Sequence, residues 1–166
     1  MTHKTWAEEV HKKYVAPHEV EKTVAEWKAQ GKTVVTLNGS FDLMHAGHLY
    51  IIHQAKKQGD ILFVALNTDA SIRGYKSPDR PIISLQYRLQ MMAALEFVDY
   101  VTWFDELDPR LFLEKVAPHI HVNGAEYGEN CIEAEVVLRK GGRIHLVDRI
   151  PSLSTTEVIT KIKSLS

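Results

Sequence analysis

Five short apolar runs, each separated from the next by a stretch of helical spacing, constrain this chain more than any other feature. The runs fall at 33–37, 61–66, 100–104, 120–122 and 143–147. Helical segments are expected over 17–30, where Val20, Val24 and Trp27 share a face ahead of Gly31, and from His48 to Gln58, where Leu49, Ile52 and Ala55 recur before Gly59. Ser84 reads as the N-cap of a helix with Leu85, Leu89 and Met92 turned inward, and Asp108-Pro109 as the start of another running towards Ala117. Two more are expected at 131–140, stopping at Gly141-Gly142, and at 154–164. The segment 67–81 carries Gly74, Pro78 and Pro81 among charged residues and reads as a long loop. Parallel strands need crossover connections and bury both faces, and right-handed crossovers favour double winding. The expectation is therefore α/β: a doubly wound, Rossmann-like parallel sheet of five strands, order 3-2-1-4-5, in a single domain.

Length agrees with one domain, since 166 residues at 45% hydrophobic and 25% charged suffice for one packed core and not comfortably for two. We divide the chain into an N-terminal arm, 1–16, mobile or in contact with a partner, and a domain at 17–166. A net charge of −1 gives no bulk attraction to nucleic acid or to an anionic membrane, so neither is expected as a partner. Cys131 is the single cysteine, and no apolar run is long enough to span a bilayer, which points to the cytoplasm.

In a doubly wound sheet, ligands bind beyond the carboxyl ends of the strands. The segment leaving the first strand reads Asn38-Gly39-Ser40-Phe41-Asp42-Leu43-Met44-His45-Ala46-Gly47-His48. It has neither G-x-G-x-x-G nor G-x-x-x-x-G-K-[ST], so a dinucleotide oxidoreductase and a Walker-type NTPase are both disfavoured. Two imidazoles and a glycine at a helix start can instead hold phosphate, because free N–H groups and titratable donors converge there. The alternative, a capping histidine beside a satisfied polar one, loses weight because other phosphate-compatible elements fall at equivalent strand ends. A shared zinc is disfavoured, as no H-E-x-x-H occurs and Cys131 lacks a cysteine partner.

Ser154-Thr155-Thr156-Glu157 fits a capping box and also offers hydroxyl and main-chain donors suited to a polyphosphate. Of the basic residues, Arg73 reads as solvated. Lys76 can close over phosphates as a point charge, and Arg88, near a helix start, can grip two phosphate oxygens. Asn67 and Asp69 shape the acceptor side or serve as turn residues. Asn123-Gly124-Ala125-Glu126-Tyr127-Gly128 forms a turn where a nucleobase would lie, with Tyr127 available to pack.

Taken with Asn67-Thr68-Asp69-Ala70-Ser71, Arg80-Pro81, Arg88 and Ser154-Thr155-Thr156, the segment from Asn38 to His48 resembles the H-x-G-H nucleotidyltransferases of the cytidylyltransferase-like superfamily. The resemblance runs from about Val20 to the C-terminus and is strongest to the adenylyltransferases of ADP-heptose synthesis. It implies attack by a sugar 1-phosphate oxygen on the α-phosphorus of ATP, with Mg²⁺ accompanying the triphosphate, and no protein nucleophile. By that resemblance His45, His48 and Lys76 are catalytic. Asn38, Gly39, Ser40, Phe41, Gly47, Arg88, Asn123, Gly124, Glu126, Ser154, Thr155 and Thr156 bind the nucleotide, and Asp42, Asn67, Asp69 and Arg80 bind the acceptor. It assigns no metal ligands. It further implies a homodimer, a separate sugar kinase to supply the acceptor, and a product destined for lipopolysaccharide-type heptose. Ser40 stands where those enzymes commonly have cysteine, and Ala125-Glu126 replaces Gly-Asp. Arg149 is more reminiscent of glycerol-3-phosphate cytidylyltransferases, the alternative enzyme reading. A non-catalytic nucleotide-binding module is the other alternative.

Overall fold

The computed structural model describes residues 5–148, 150 and 154–165. Its strands are β1 (Val34–Gly39), β2 (Ile61–Asn67), β3 (Tyr100–Phe104), β4 (Ile120–Gly124) and β5 (Arg143–Val147), all parallel and hydrogen-bonded in the order β3-β2-β1-β4-β5. This is the expected order, and it puts the β1–β4 seam, where the winding reverses, at the centre of the sheet. The helices are α1 (Trp6–His11), α2 (Val20–Ala29), α3 (Ala46–Lys56), α4 (Asp69–Tyr75), α5 (Leu85–Ala94), α6 (Arg110–Val116), α7 (Ala134–Arg139) and α8 (Thr155–Lys163).

Both sheet faces are covered, which is why the strands read as continuous apolar runs rather than as an alternation. All seven residues of β2 are buried. One core cluster packs Val35, Leu37, Leu62, Val64 and Leu66 against Ile52 of α3 and Leu89 and Met92 of α5. The other packs Val34, Phe63 and Ala65 against Trp27 of α2, Phe112 of α6 and Val136 of α7. Each such side chain contributes about 1.5–3 kcal/mol relative to exposure.

The structure revises two segments. Residues 69–75, expected within a loop, form α4, because Thr68 caps it by accepting from the Ser71 N–H. Its glycine has a packing reason: a Cβ on Gly74 would lie 2.5 Å from Cδ2 of Leu107. The helix expected over 131–140 is shorter, α7 beginning only at Ala134. Of the sequence-defined arm, residues 1–4 lie outside the described residues. Residues 5–16 carry buried Val10 and Val15, and the backbone at Lys13 and Val15 bonds to Val101 along the exposed edge of β3.

A histidine buried between the strands sets a pH dependence. His121 on β4 is 1% exposed, its Nδ1 lies 2.8 Å from the Thr36 Oγ1, and burial pushes its pKa from 6.5 down to about 3. The fold thus holds the neutral ring, while the unfolded chain takes up a proton below pH 6.5. The associated stability is fully present above that pH and is lost as pH falls towards the folded value, at about 1.4 kcal/mol per unit. Between pH 7 and 5 about 2 kcal/mol should disappear. Denaturant midpoints at both pH values should show a smaller fall for His121→Gln than for the native chain; an equal fall in the two would assign the effect to other groups.

Candidate functional site

The carboxyl ends of the central strands open into one cavity of about 670 Å³, within the ~300–1,000 Å³ usual for small-molecule sites. Asn38, Gly39, Ser40 and Phe41 reach it from the end of β1, and His45, Gly47 and His48 from the start of α3. Asn67 reaches it from β2, Lys76 from just beyond α4, Asn123, Gly124 and Glu126 from β4 and the turn after it, and Ser154, Thr155 and Thr156 from the start of α8. Residues up to 118 positions apart in the chain are thereby brought to a single volume, as the strand order requires.

The loop between β1 and α3 is held by its own residues. Phe41 is buried and adopts a left-handed backbone conformation, φ 45°, which folds its ring back over Gly39. A Cβ there would lie 3.1 Å from the ring, so Gly39 keeps this return tight. The same ring meets His48 edge-on at 5.5 Å between centroids, and the His45 and His48 rings lie 3.9 Å apart. His45 is the N-cap of α3, and its backbone N–H donates to the His48 Nδ1 at 3.2 Å. An accepting Nδ1 places the ring proton of neutral His48 on Nε2, the donor form that a phosphate oxygen requires.

At the start of α8 the capping reading and the ligand reading coexist. The Ser154 hydroxyl oxygen accepts from the Glu157 N–H at 3.1 Å, and Thr155 Oγ1 makes a long 3.5 Å contact with the Leu43 carbonyl. The helix start is thus set against the loop that carries the histidines. Across the mouth, the Lys76 ammonium donates to the Ser40 hydroxyl at 2.8 Å. Burial lowers the Lys76 pKa, with Arg80 adding to the effect and Asp42 opposing it.

Four residues assigned to ligands from the sequence do not line the cavity: Asp42, Asp69, Arg80 and Arg88. The Arg88 side chain is wholly enclosed, and its guanidinium is occupied by protein oxygens. Nε donates to the Ile83 carbonyl, Nη1 to those of Ser40 and Asn67, and Nη2 to the Asp69 carboxylate at 2.7 Å. Asp69 also accepts from the Leu85 N–H. Asp42, 1% exposed, accepts from the Ile82 and Ile83 N–H groups and from Arg80 Nε at 2.7 Å. Burial pushes its carboxyl up, but these donors outweigh it and hold the pKa below the usual carboxylate value. These cations and carboxylates tie the strand-end loops together and hold the backbone of Ser40 and Asn67 in place.

Sequence reading also missed part of the wall. Tyr75, Leu107, Asp108 and Pro109 line the side near Lys76, while Ile132, Glu133 and Asp148 line the side beyond β4 and β5. Their signal was positional: each follows a strand's carboxyl end or the helix after it, where a doubly wound sheet puts its ligand. Cys131 is buried beside this wall, and burial pushes its thiol pKa up, against a hydrogen bond with Asn123 that lowers it. An unionised thiol is a poor nucleophile. Arg149, and residues 151–153 ahead of Ser154, lie outside the described residues.

Comparison with known proteins agrees with this geometry. The chain belongs to the cytidylyltransferase-like family, whose model matches residues 36–161. It is 44% identical over 142 residues to the bifunctional protein HldE of Azorhizobium caulinodans, covering 85% of this chain and 30% of that protein. It is likewise 44% identical over 140 residues to HldE of Geobacter sulfurreducens, covering 84% and 29% respectively. The chain thus spans about 30% of the length of these curated relatives. Among solved structures, it is similar to a lipopolysaccharide core biosynthesis protein from Thermoplasma volcanium, with TM-score 0.58 and 28% identity, covering 72% of this chain and 98% of that one. A pantoate-beta-alanine ligase from Francisella tularensis shares the fold at TM-score 0.58 and 14% identity, covering 90% and 77%.

Proposed function

We propose that this chain transfers the adenylyl group of ATP to a heptose 1-phosphate, giving an ADP-heptose and pyrophosphate. The observation that carries the reading is the convergence of the His45/His48 pair, Lys76 and the Ser154–Thr156 helix start on one cavity of about 670 Å³. Similarity to the HldE proteins favours the heptose among possible acceptors, and the lipopolysaccharide protein points the same way.

In this reading an oxygen of the sugar 1-phosphate attacks the α-phosphorus of ATP, the new O–P bond forms, and the bond to the β-phosphate bridging oxygen breaks. No side chain becomes covalently attached. The protein's work is positioning and charge stabilisation. His48, with Nε2 as donor, and His45 hold the phosphates as charge shifts towards the leaving pyrophosphate. Thr155, Thr156 and the free N–H groups of α8 hold the β- and γ-phosphates, and Lys76 draws the acceptor phosphate towards the same centre. Asn67 and Ser40 form the acceptor floor, kept in place by Arg88.

Magnesium enters as the metal–nucleotide substrate. Among the described residues there is no group of three or more His, Cys, Asp or Glu able to hold a metal ion. Asp42 is spent on Ile82, Ile83 and Arg80 and does not fit as a ligand. We place a separate sugar kinase upstream, supplying the sugar 1-phosphate acceptor. We place the reaction in the cytoplasm, in a homodimer; no helix among the described residues is long and apolar enough to cross a membrane.

Pyrophosphate release should be measured with ATP or CTP paired with D-glycero-β-D-manno-heptose 1-phosphate or glycerol 3-phosphate. The proposal expects release chiefly from ATP with the heptose phosphate. Preference for CTP with glycerol 3-phosphate would transfer the chain to the cytidylyltransferase reading, and no release in any pairing would favour a binding module.

A further inference from the structure

Glu133 stands in the cavity wall on the side away from Lys76, and no step of the transfer uses it. It is 6% exposed, and none of the ion pairs among the described residues includes it. Its neighbour Asn123 donates from Nδ2 to the Glu133 Oε2 at 3.3 Å, while the Asn123 Oδ1 accepts from the Gly124 N–H at 3.1 Å. Those two bonds fix which way the amide points: oxygen to the backbone, nitrogen to the carboxylate. A carboxylate has about four acceptor sites, and one amide N–H with the Cys131 thiol as neighbour leaves acceptor capacity facing the cavity. A buried carboxylate without a counter-cation gains most from a donor brought by a ligand.

The charges along the wall say which end of a nucleotide comes here. His45, His48 and Lys76 line the phosphate side, whereas Glu126, Glu133 and Asp148 line the β4–β5 side. Phosphate is repelled from the acidic side, and the neutral nucleoside is left to it. Ile132 and Val147 supply apolar surface for the plane of a base. Glu133 then offers an acceptor, held in place by the Asn123 amide, whose N–H groups are turned to Glu133 and Cys131. Adenine and cytosine present the complementary group at that edge, an exocyclic amino donor. Hypoxanthine, guanine and uracil present the reverse, a carbonyl next to a ring N–H.

We propose that Glu133, oriented by Asn123, is a specificity-determining residue that accepts a hydrogen bond from the exocyclic amino group at C6 of a purine or C4 of a pyrimidine, so that the site takes adenine or cytosine and rejects their keto counterparts. The inference rests on the reading of the cavity as a nucleoside triphosphate site. A site built around such a bond rejects an analogue that lacks the donor, because its own polar groups are then left unpaired.

The test is equilibrium binding of ATP and ITP, which differ in this edge, to the full chain and to Glu133→Gln, whose shape is preserved and whose amide can turn a donor towards a carbonyl. The native chain should bind ATP at least ~30-fold more tightly than ITP, and the ratio should fall at least ~10-fold in Glu133→Gln. The ratio is taken within each protein, so a loss of folded material cancels. Equal binding of ATP and ITP by the native chain, or a ratio unmoved by the substitution, overturns the proposal. Selective ATP binding without turnover of a heptose phosphate upholds it while removing the proposed acceptor, and failure to bind either nucleotide overturns both readings.

Discussion

Replacing His48 by alanine is expected to lower turnover by about 10²- to 10³-fold, the usual cost of removing one donor aimed at developing charge, with the fold retained. The imidazole sits in the first turn of α3, where its Nδ1 accepts from the His45 N–H and its ring packs on Phe41. Losing that capping bond costs about 1 kcal/mol, small against the stability of a domain with two packed cores. The catalytic cost is larger because no other side chain in the first turn of α3 supplies a donor from that position. His48→Ala should therefore melt within a few degrees of the native chain while pyrophosphate release nearly stops. His45→Ala should behave similarly, and the double variant should lose much less than the product of the two, since rings 3.9 Å apart act as a unit. A folded His48→Ala with native turnover would remove the histidines from the chemistry.

Arg88→Met is expected to do the opposite: to destabilise the fold first and to affect catalysis through it. The substitution keeps much of the side chain's volume and removes every donor. The carbonyls of Ile83, Ser40 and Asn67 would lose their partner, and Asp69 would keep only the Leu85 N–H. Breaking one side of a buried, hydrogen-bonded pair costs about 3–5 kcal/mol. Asp69 remains 29% exposed and partly solvated, which places the expectation at the lower end, about 3 kcal/mol. For a domain of this size that is a fall in melting temperature of about 10 °C. A phosphate-gripping arginine would lose activity with its melting temperature unchanged, so thermal unfolding monitored beside steady-state kinetics separates the two roles. Retained stability with a raised KM for the nucleotide would return Arg88 to the cavity.

The contrast between these two residues shows where sequence reading reaches and where it stops. Strands buried on both faces leave continuous apolar runs, and strand order follows from crossover handedness, so the architecture was legible in local pattern. His45 and His48 were legible for the same reason: their place depends only on the strand before them and the helix they start. Helix α4 was not, because Gly74 and its charged neighbours look like loop, and the reason for the glycine is Leu107, 33 residues away. The protein partners of Arg88 were not legible, because its acceptors come from Ser40 and Asn67, 48 and 21 positions distant. A sequence shows a cation near a helix start without showing which oxygens fold around it. The pairing of Asp42 with Arg80, at a separation of 38, was hidden in the same way. Glu133 carried no pattern at all and became visible only when the strand ends were assembled around one volume.

The central claim is that the α-phosphorus of ATP passes to a heptose 1-phosphate at the His45/His48 helix start. It is tested most directly by following that phosphorus in ³¹P NMR with the purified chain, ATP, Mg²⁺ and the heptose phosphate. The account predicts that the ATP and sugar-phosphate resonances decline together, with a sugar-linked diphosphate diester and free pyrophosphate rising in equal amounts, and that His48→Ala shows neither. Appearance of AMP with pyrophosphate, of ADP, or of no product from the native chain would contradict it.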